Sequence, residues 1–172
     1  MFSATRAATV TVFDGDLNLP GATANARLRR VQKSVDEVMR HVTDGYKPSL
    51  QKLTPNGSDI LGEYQEAGSY IRELGTSYVL DFLLLTDGYQ AAGDVNLGGS
   101  PLSRKQATAL AARLDVPKLP GSTVTVAGIG QVAAGKPAST AIVNGTIALW
   151  EEICRRSSPT RCVIVTDLSL GR

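Results

Sequence analysis

Phe82-Leu83-Leu84-Leu85-Thr86-Asp87-Gly88 is the stretch that decides the fold. Four consecutive apolar residues, preceded by Asp81 and followed by a Thr-Asp-Gly turn, predict a strand that is buried on both faces. Such a strand needs a layer of structure above and below it, which indicates an α/β sandwich. Ligands of open parallel sheets bind outside the carboxyl ends of the strands, and Asp87 is expected at such an end.

The composition is that of an ordinary globular domain. The chain has 172 residues, of which 42% are hydrophobic and 20% charged, so one domain (residues 1–172) with a substantial core is expected. A formal net charge of +2 is too small to indicate nucleic-acid binding. No apolar run approaches the ~18 residues of a membrane span. Residues 1–12 lack the charged start and apolar core of a secretory signal, so a cytoplasmic chain is the default expectation.

Periodicity along the chain predicts strands that alternate with helices. The predicted strands are residues 7–13, 79–85, 123–127 and 162–165, and the predicted helices are residues 25–42, 60–74, 103–114 and 138–156. Residues 43–57 are rich in Gly, Pro, Ser and Asn and are interpreted as a connector. This order predicts a doubly wound, mainly parallel, Rossmann-like sheet with helices on both faces. Strand 79–85 is expected at its centre, between strand 123–127 and either strand 8–13 or a replacement for it.

The cysteines and the histidine do not form a catalytic pattern. Cys154 and Cys162 lie eight residues apart, and both a local disulfide and two buried free thiols fit this spacing. The single histidine, His41, lies near the end of a basic helix, so no zinc cluster is available. Because no nucleophile–base pair is visible either, we expect a binding protein rather than an enzyme.

Two polar segments are expected to meet at the carboxyl edge of the sheet. Gly57-Ser58-Asp59 opens one predicted helix, and Thr86-Asp87-Gly88 ends the next predicted strand. The Ser58 hydroxyl and the Asp87 carboxylate are hard oxygen ligands of the kind that Mg²⁺ or Mn²⁺ prefers. In the alternative interpretation, Asp87 has a structural role and only caps the loop that follows it.

Over roughly residues 57–170 the chain resembles the von Willebrand factor type A-like domains. That family builds a metal-ion-dependent adhesion site from a D-x-S-x-S loop after the first strand, a Thr before a helix, and the Asp of a buried strand that ends in T-D-G. Here Asp87 matches the T-D-G aspartate and Ser58 matches the threonine position. The resemblance implies a protein-binding or adhesion-type module, in which a carboxylate of the partner completes the metal coordination. A structural or assembly subunit without metal, and a small metal-dependent α/β hydrolase, are the alternatives.

The family's D-x-S-x-S loop does not follow an early strand of this chain, and two alignments account for the difference. In the first, Val10–Phe13 is the family's first strand, and Asp14, Asp16 and Asn18 stand where the loop's ligands would be. In the second, Val10–Phe13 is the family's second strand, and the first strand with its metal loop is missing. The short connector, residues 43–56, favours the second alignment, since the family normally has two strands there.

The second alignment has two consequences. It leaves a weak or degenerate divalent-metal site at Asp87 and Ser58, with Asp14 and Asp16 in an outlying loop. It also leaves the sheet without a central strand. Because an open edge invites pairing, we expect a homo-oligomer or another chain to complete the sheet.

Overall fold

The chain forms four helices and three strands in the part that the computed structural model describes, which is residue 4 and residues 9–15, 18–53, 57–75, 78–93, 95–97, 100–132 and 138–168. In chain order these elements are α1 (Ala24–Leu50), α2 (Ile60–Leu74), β1 (Asp81–Leu85), α3 (Arg104–Ala111), β2 (Thr123–Ala127), α4 (Thr140–Ser157) and β3 (Arg161–Val165).

The three strands form one parallel sheet in the order β1-β2-β3. Because side chains alternate along a strand, the register assigns each residue to one of two faces. The covered face consists of Phe82, Leu84, Val124, Val126, Cys162 and Ile164. The open face consists of Asp81, Leu83, Leu85, Thr123, Thr125, Ala127, Arg161, Val163 and Val165.

Helices α2, α3 and α4 lie on the covered face. The Tyr64 ring of α2 has its centroid 5.6 Å from that of Phe82 and 6.2 Å from that of Trp150 in α4. A disulfide between Cys154 and Cys162 joins α4 to β3, and α3 packs against α4. The largest fully buried side chains therefore lie in this layer: Trp150, Tyr64, Ile60, Leu84, Leu119, Ile129, Ile153, Val124 and Val126.

These elements make a small α/β fold, and most of the predicted helices and strands are confirmed. The Ser103 side chain and Gln106 form a capping box at the start of α3, as a Ser at this position favours. The open disulfide question is also answered, since Cys154 and Cys162 are bonded. No helix of the described residues is both long and apolar enough to cross a membrane.

The predicted strand at residues 7–13 is wrong for its described part, residues 9–13, which form no strand. This segment instead packs along α1: the Phe13 and His41 rings lie 6.0 Å apart, and Val12 Cγ1 approaches Gly45. A β-branched run predicts a strand only where a neighbouring strand pairs with it. Neither family alignment of Val10–Phe13 as a strand therefore holds.

The predicted connector is partly wrong, because α1 continues through residues 43–50. Gly45 is the site of contact with Val12 rather than a break, and a Cβ there would lie 3.1 Å from Val12 Cγ1. Pro48 lies in the last turn of α1, and the helix ends two residues after it at Leu50.

The prediction that strand 79–85 is central is also wrong within the described residues. Strand β1 covers Asp81–Leu85, pairs only with β2, and so forms the edge of the described sheet, with β2 at the centre. Leu83 and Leu85 on the open face remain exposed. The apolar run predicts burial on both faces, whereas the described helices cover only one.

Candidate functional site

The Thr86-Asp87-Gly88 turn follows β1 at the carboxyl edge of the sheet, as the sequence predicts. Its side chains fold it tightly: Thr86 Oγ1 accepts a hydrogen bond from the Gly88 amide at 3.0 Å, and Asp87 Oδ1 accepts one from the Tyr89 amide at 3.0 Å. The Gly130 amide donates to the Asp87 carbonyl oxygen at 2.9 Å, which ties the turn to the loop after β2. Asp87 is half-buried, and within the described residues nothing donates to its second carboxylate oxygen, Oδ2.

The glycine of this turn is held against the buried core. Gly88 has a φ of 81°, and a Cβ there would lie 2.5 Å from Ile129 Cδ1 and 2.8 Å from Thr146 Cγ2. The Trp150 indole Nε1 donates to the Gly88 carbonyl oxygen at 3.3 Å. Only glycine combines this backbone conformation with so close an approach. The core therefore fixes the position of the neighbouring Asp87.

The second predicted segment, Ser58-Asp59, lies at the start of α2. Asp59 caps the helix, and its Oδ1 accepts a hydrogen bond from the Gly62 amide at 2.9 Å. A carboxylate is favoured at this position because it satisfies a free amide and the positive end of the helix dipole. Ser58 is half-buried, and its hydroxyl has no hydrogen-bond partner within the described residues.

A buried amide side chain, Gln90, joins the two segments. Its Oε1 accepts a hydrogen bond from the Leu61 amide at 3.0 Å, and its Nε2 donates to Asp59 Oδ1 at 2.8 Å and also to the Ala92 carbonyl. Because Gln90 is buried, these hydrogen bonds are shielded from water and hold the start of α2 firmly against the loop that follows Asp87.

A backbone contact completes the junction, since the Ala91 amide donates to the Ser58 carbonyl oxygen at 3.2 Å. The segment that carries Ser58 thus meets the loop that follows Asp87, through Gln90 and Ala91. We call this junction, consisting of Ser58, Asp59, Asp87 and Gln90, the edge site.

Of the two less certain candidates, only Asp14 lies among the described residues. Asp14 is exposed and follows Phe13, whose described contact is with α1. Asp16 lies outside the described residues. Among the residues that are described, no group of three or more His, Cys, Asp and Glu side chains lies close enough together to hold a metal ion.

Tyr89, which follows the Thr86-Asp87-Gly88 turn, has a raised pKa. Burial raises the pKa of Tyr89, and the negative charge of Asp87 raises it further. Tyr89 therefore stays protonated at neutral pH and places an uncharged phenol beside the carboxylate.

Sequence reasoning missed Gln90 and Trp150 as parts of this site. Glutamine is mostly exposed in proteins, so nothing in the pattern marks Gln90 as a buried bridge. Trp150 is predictable as a core residue of α4, but its hydrogen bond to the Gly88 carbonyl depends on how α4 crosses the sheet. The one available signal is the general tendency of a buried indole N–H to find an acceptor.

The chain matches no protein-family model, and no curated protein or solved structure is significantly similar to it. The resemblance to von Willebrand factor type A-like domains therefore rests on the residues quoted above.

Proposed function

We propose that the chain is a protein-binding module of the von Willebrand factor type A-like class, without catalytic activity, that engages its partner at the edge site. The observation that carries the proposal is the Gln90 bridge, which holds the Ser58 and Asp87 loops together at the carboxyl edge. Ligands of parallel α/β sheets bind at this edge. At this edge the Asp87 carboxylate could bind a basic side chain of a partner. It could also bind a partner carboxylate through a metal ion that lies between the two.

The edge site fits a divalent cation only weakly. Asp87 Oδ2 and the Ser58 hydroxyl are two hard oxygen ligands without hydrogen-bond partners among the described residues. Mg²⁺ and Mn²⁺ take about six ligands, so water and the partner would have to supply the remainder. In this proposal a bound Mg²⁺ or Mn²⁺ supplies positive charge for a partner carboxylate, while Asp87 and Ser58 hold it.

Calorimetric titration with Mn²⁺ tests the metal part of this proposal. We expect weak binding by the wild type and loss of binding in Asp87→Asn, which removes the charge without changing the shape. Asp81→Asn is the matched control, because Asp81 is an exposed carboxylate at the opposite end of the same strand. Equal binding by wild type and Asp87→Asn would contradict Asp87 as a ligand. Binding lost equally in both variants would mean that the cation is held non-specifically.

A second function, an assembly subunit without a metal site, is favoured by the outer edge of β1. This strand pairs only with β2 among the described residues, so one row of its backbone donors and acceptors has no strand partner there. Such an edge accepts a further strand, and an added strand and helix layer would extend the sheet to the doubly wound form. Sedimentation equilibrium tests it: a monomer at all concentrations would contradict it.

A further inference from the structure

Helix α1 presents a row of exposed apolar side chains. Leu28, Val31, Val35 and Met39 recur at intervals of three and four residues, so they form one stripe along the helix. Their exposed fractions are 67%, 39%, 48% and 56%. We call these four residues the α1 stripe. Isolated exposed apolar residues are normal, but a continuous stripe of them marks a surface that binds something.

The open face of the sheet is a second apolar surface of the same chain. Leu83 and Leu85 are 44% and 52% exposed, and Val79, just before β1, is 76% exposed. Parallel sheets are found with both faces covered, because their strands are apolar on both sides. Among the described elements there is thus a helix with an exposed apolar stripe and a sheet face that no described helix covers.

The two surfaces have matching dimensions. From Leu28 to Met39 the α1 stripe is about 17 Å long at the usual helical rise. A five-residue strand also spans about 17 Å, and three adjacent strands span about 10 Å, the width of one helix. One helix therefore suffices to cover the open face.

The stripe stays exposed in the single chain, and the segment before α1 is tied to the covered side of the fold. The segment before α1 is held by Arg27 Nε, which donates to the Gly21 carbonyl at 3.0 Å, and by Arg30, which donates to the Pro20 carbonyl at 2.7 Å. Its Leu19 lies at one border of the stripe, which it leaves exposed. The same segment is tied to α2 by a hydrogen bond from Thr9 to Glu63. Since α2 lies on the covered face, α1 would have to break this tie to reach the open face of its own chain.

We propose that two copies of the chain exchange these helices, so that the α1 stripe of each copy covers the open face of the other. This inference rests on the assembly function proposed above and assigns its surfaces and its partner, a second copy. The arrangement is two-fold symmetric and closed, because each copy offers one helix and accepts one.

The buried area is sufficient for a stable dimer. At about 100 Å² of apolar area for a fully exposed aliphatic side chain, the two reciprocal contacts bury about 760 Å² of apolar surface. With about 60% of an interface being apolar, the total is about 1,300 Å², which lies within the range of specific dimers.

Sedimentation velocity over a range of concentrations is the first test, with the full chain as wild type and as Val35→Glu/Met39→Glu. Both positions are exposed in the single chain, so the glutamates leave its fold intact, which circular dichroism checks. In the dimer they would bury two unpaired carboxylates at each of the two contacts, and we expect the dimer dissociation constant to rise at least about 100-fold. Lys33→Glu, on the polar side of α1, is the matched control with the same change in net charge and is expected to dimerise like the wild type.

The outcomes separate this inference from the assembly function. A monomeric wild type overturns both. If the stripe variant dimerises like the wild type, the helix exchange is overturned. Self-association would then use another surface, such as the β1 edge. A dimer that Lys33→Glu weakens as strongly as the stripe variant also overturns it, since charge and not the stripe would then be decisive.

Photo-crosslinking identifies the occupant of the open face. Chains in which a photoreactive phenylalanine analogue replaces Val35 are prepared in ¹⁵N-labelled and unlabelled form, mixed and refolded together. After irradiation, the crosslinked peptides are identified by mass spectrometry. We expect crosslinks to β1 or β3 that join a labelled to an unlabelled chain. Crosslinks to these strands only within one isotopic form would mean that α1 covers its own sheet, and crosslinks from α1 to α1 would mean a helix pair. Either result overturns the proposal.

Discussion

Reduction of the Cys154–Cys162 disulfide is expected to weaken the fold by an amount that the loop length sets. The bond joins the last turn of α4 to the start of β3 across a sequence separation of eight residues. In the chain-entropy description, closing a loop of this length costs the unfolded chain about 2.6 kcal/mol at 25 °C. For a domain of this size, that difference corresponds to a fall in Tm of about 5–10 °C.

The assay compares urea denaturation of the wild type with and without reductant. Cys162 is exposed and lines, with Cys154, Arg155 and Pro159, an open cavity of about 380 Å³, so a small thiol reaches the bond without unfolding the chain. Reduction removes the covalent link but keeps both sulfur atoms in place, and it isolates the effect of the link from the packing of Cys154. The double variant Cys154→Ala/Cys162→Ala is the control and is expected to be insensitive to the reductant.

Equal stabilities of the oxidised and reduced wild type would refute the reasoning. That result would mean that α4 and β3 stay together in the unfolded ensemble without the bond, so that the bond restricts nothing. A loss far above the expected value would equally refute it, because strain or packing and not loop entropy would then dominate.

Further changes test the core behind the edge site. Gly88→Ala is expected to lower the free energy of unfolding by about 2–4 kcal/mol, from the positive φ and the overlap with Ile129; urea denaturation measures this, and an unchanged midpoint would contradict it. Tyr64→Phe is expected to cost about 1 kcal/mol, because it removes one buried 2.7 Å hydrogen bond while the Ser157 hydroxyl still donates to the Ile153 carbonyl oxygen; no loss by the same assay would contradict it. Burial raises the pKa of Tyr64, and its hydrogen bond with Ser157 opposes the rise. Because the pKa of Tyr64 is higher in the folded state, its contribution to the free energy of unfolding is complete below the unfolded-state pKa of about 10. This contribution is lost as the pH rises through the folded-state pKa. Alkaline denaturation should therefore be less steep in Tyr64→Phe, and identical curves would contradict this. Ser103→Ala is expected to cost about 1 kcal/mol by removing a helix cap, and an unaltered midpoint would count against the cap.

Patterns among neighbouring residues predicted the helices well, but they predicted poorly where each strand lies in the sheet and how far it is buried. The apolar spacing of α2 and α4 and the cap at Ser103 are properties of neighbouring residues, so the sequence displays them directly. The order of strands depends on pairing between distant residues, and Phe82–Leu85 has the same composition at an edge as at a centre. Val10–Phe13 shows the opposite error: its β propensity is high, but in the described structure no strand lies beside it.

The same distinction holds for the edge site. The Thr86-Asp87-Gly88 turn is encoded locally, because the Thr and Asp side chains bond to amides two residues ahead. The bridge from Gln90 to Asp59 spans 31 residues and is visible only once α2 and β1 are placed side by side. Sequence therefore predicts which segments carry the site, and the fold decides which side chains connect them.

The buried core explains how a chain with an uncovered sheet face still folds. Its largest buried side chains, including Trp150, Tyr64 and Leu84, lie between the covered face and helices α2 to α4. Trp150 of this layer donates to the Gly88 carbonyl oxygen, so the layer positions Gly88 and hence the neighbouring Asp87. Whatever covers the open face then adds to the stability of a chain that is already folded, in proportion to its concentration and affinity. The edge site is thus positioned by the covered face, whereas the proposed self-association uses the open face, so that substitutions can test the two separately.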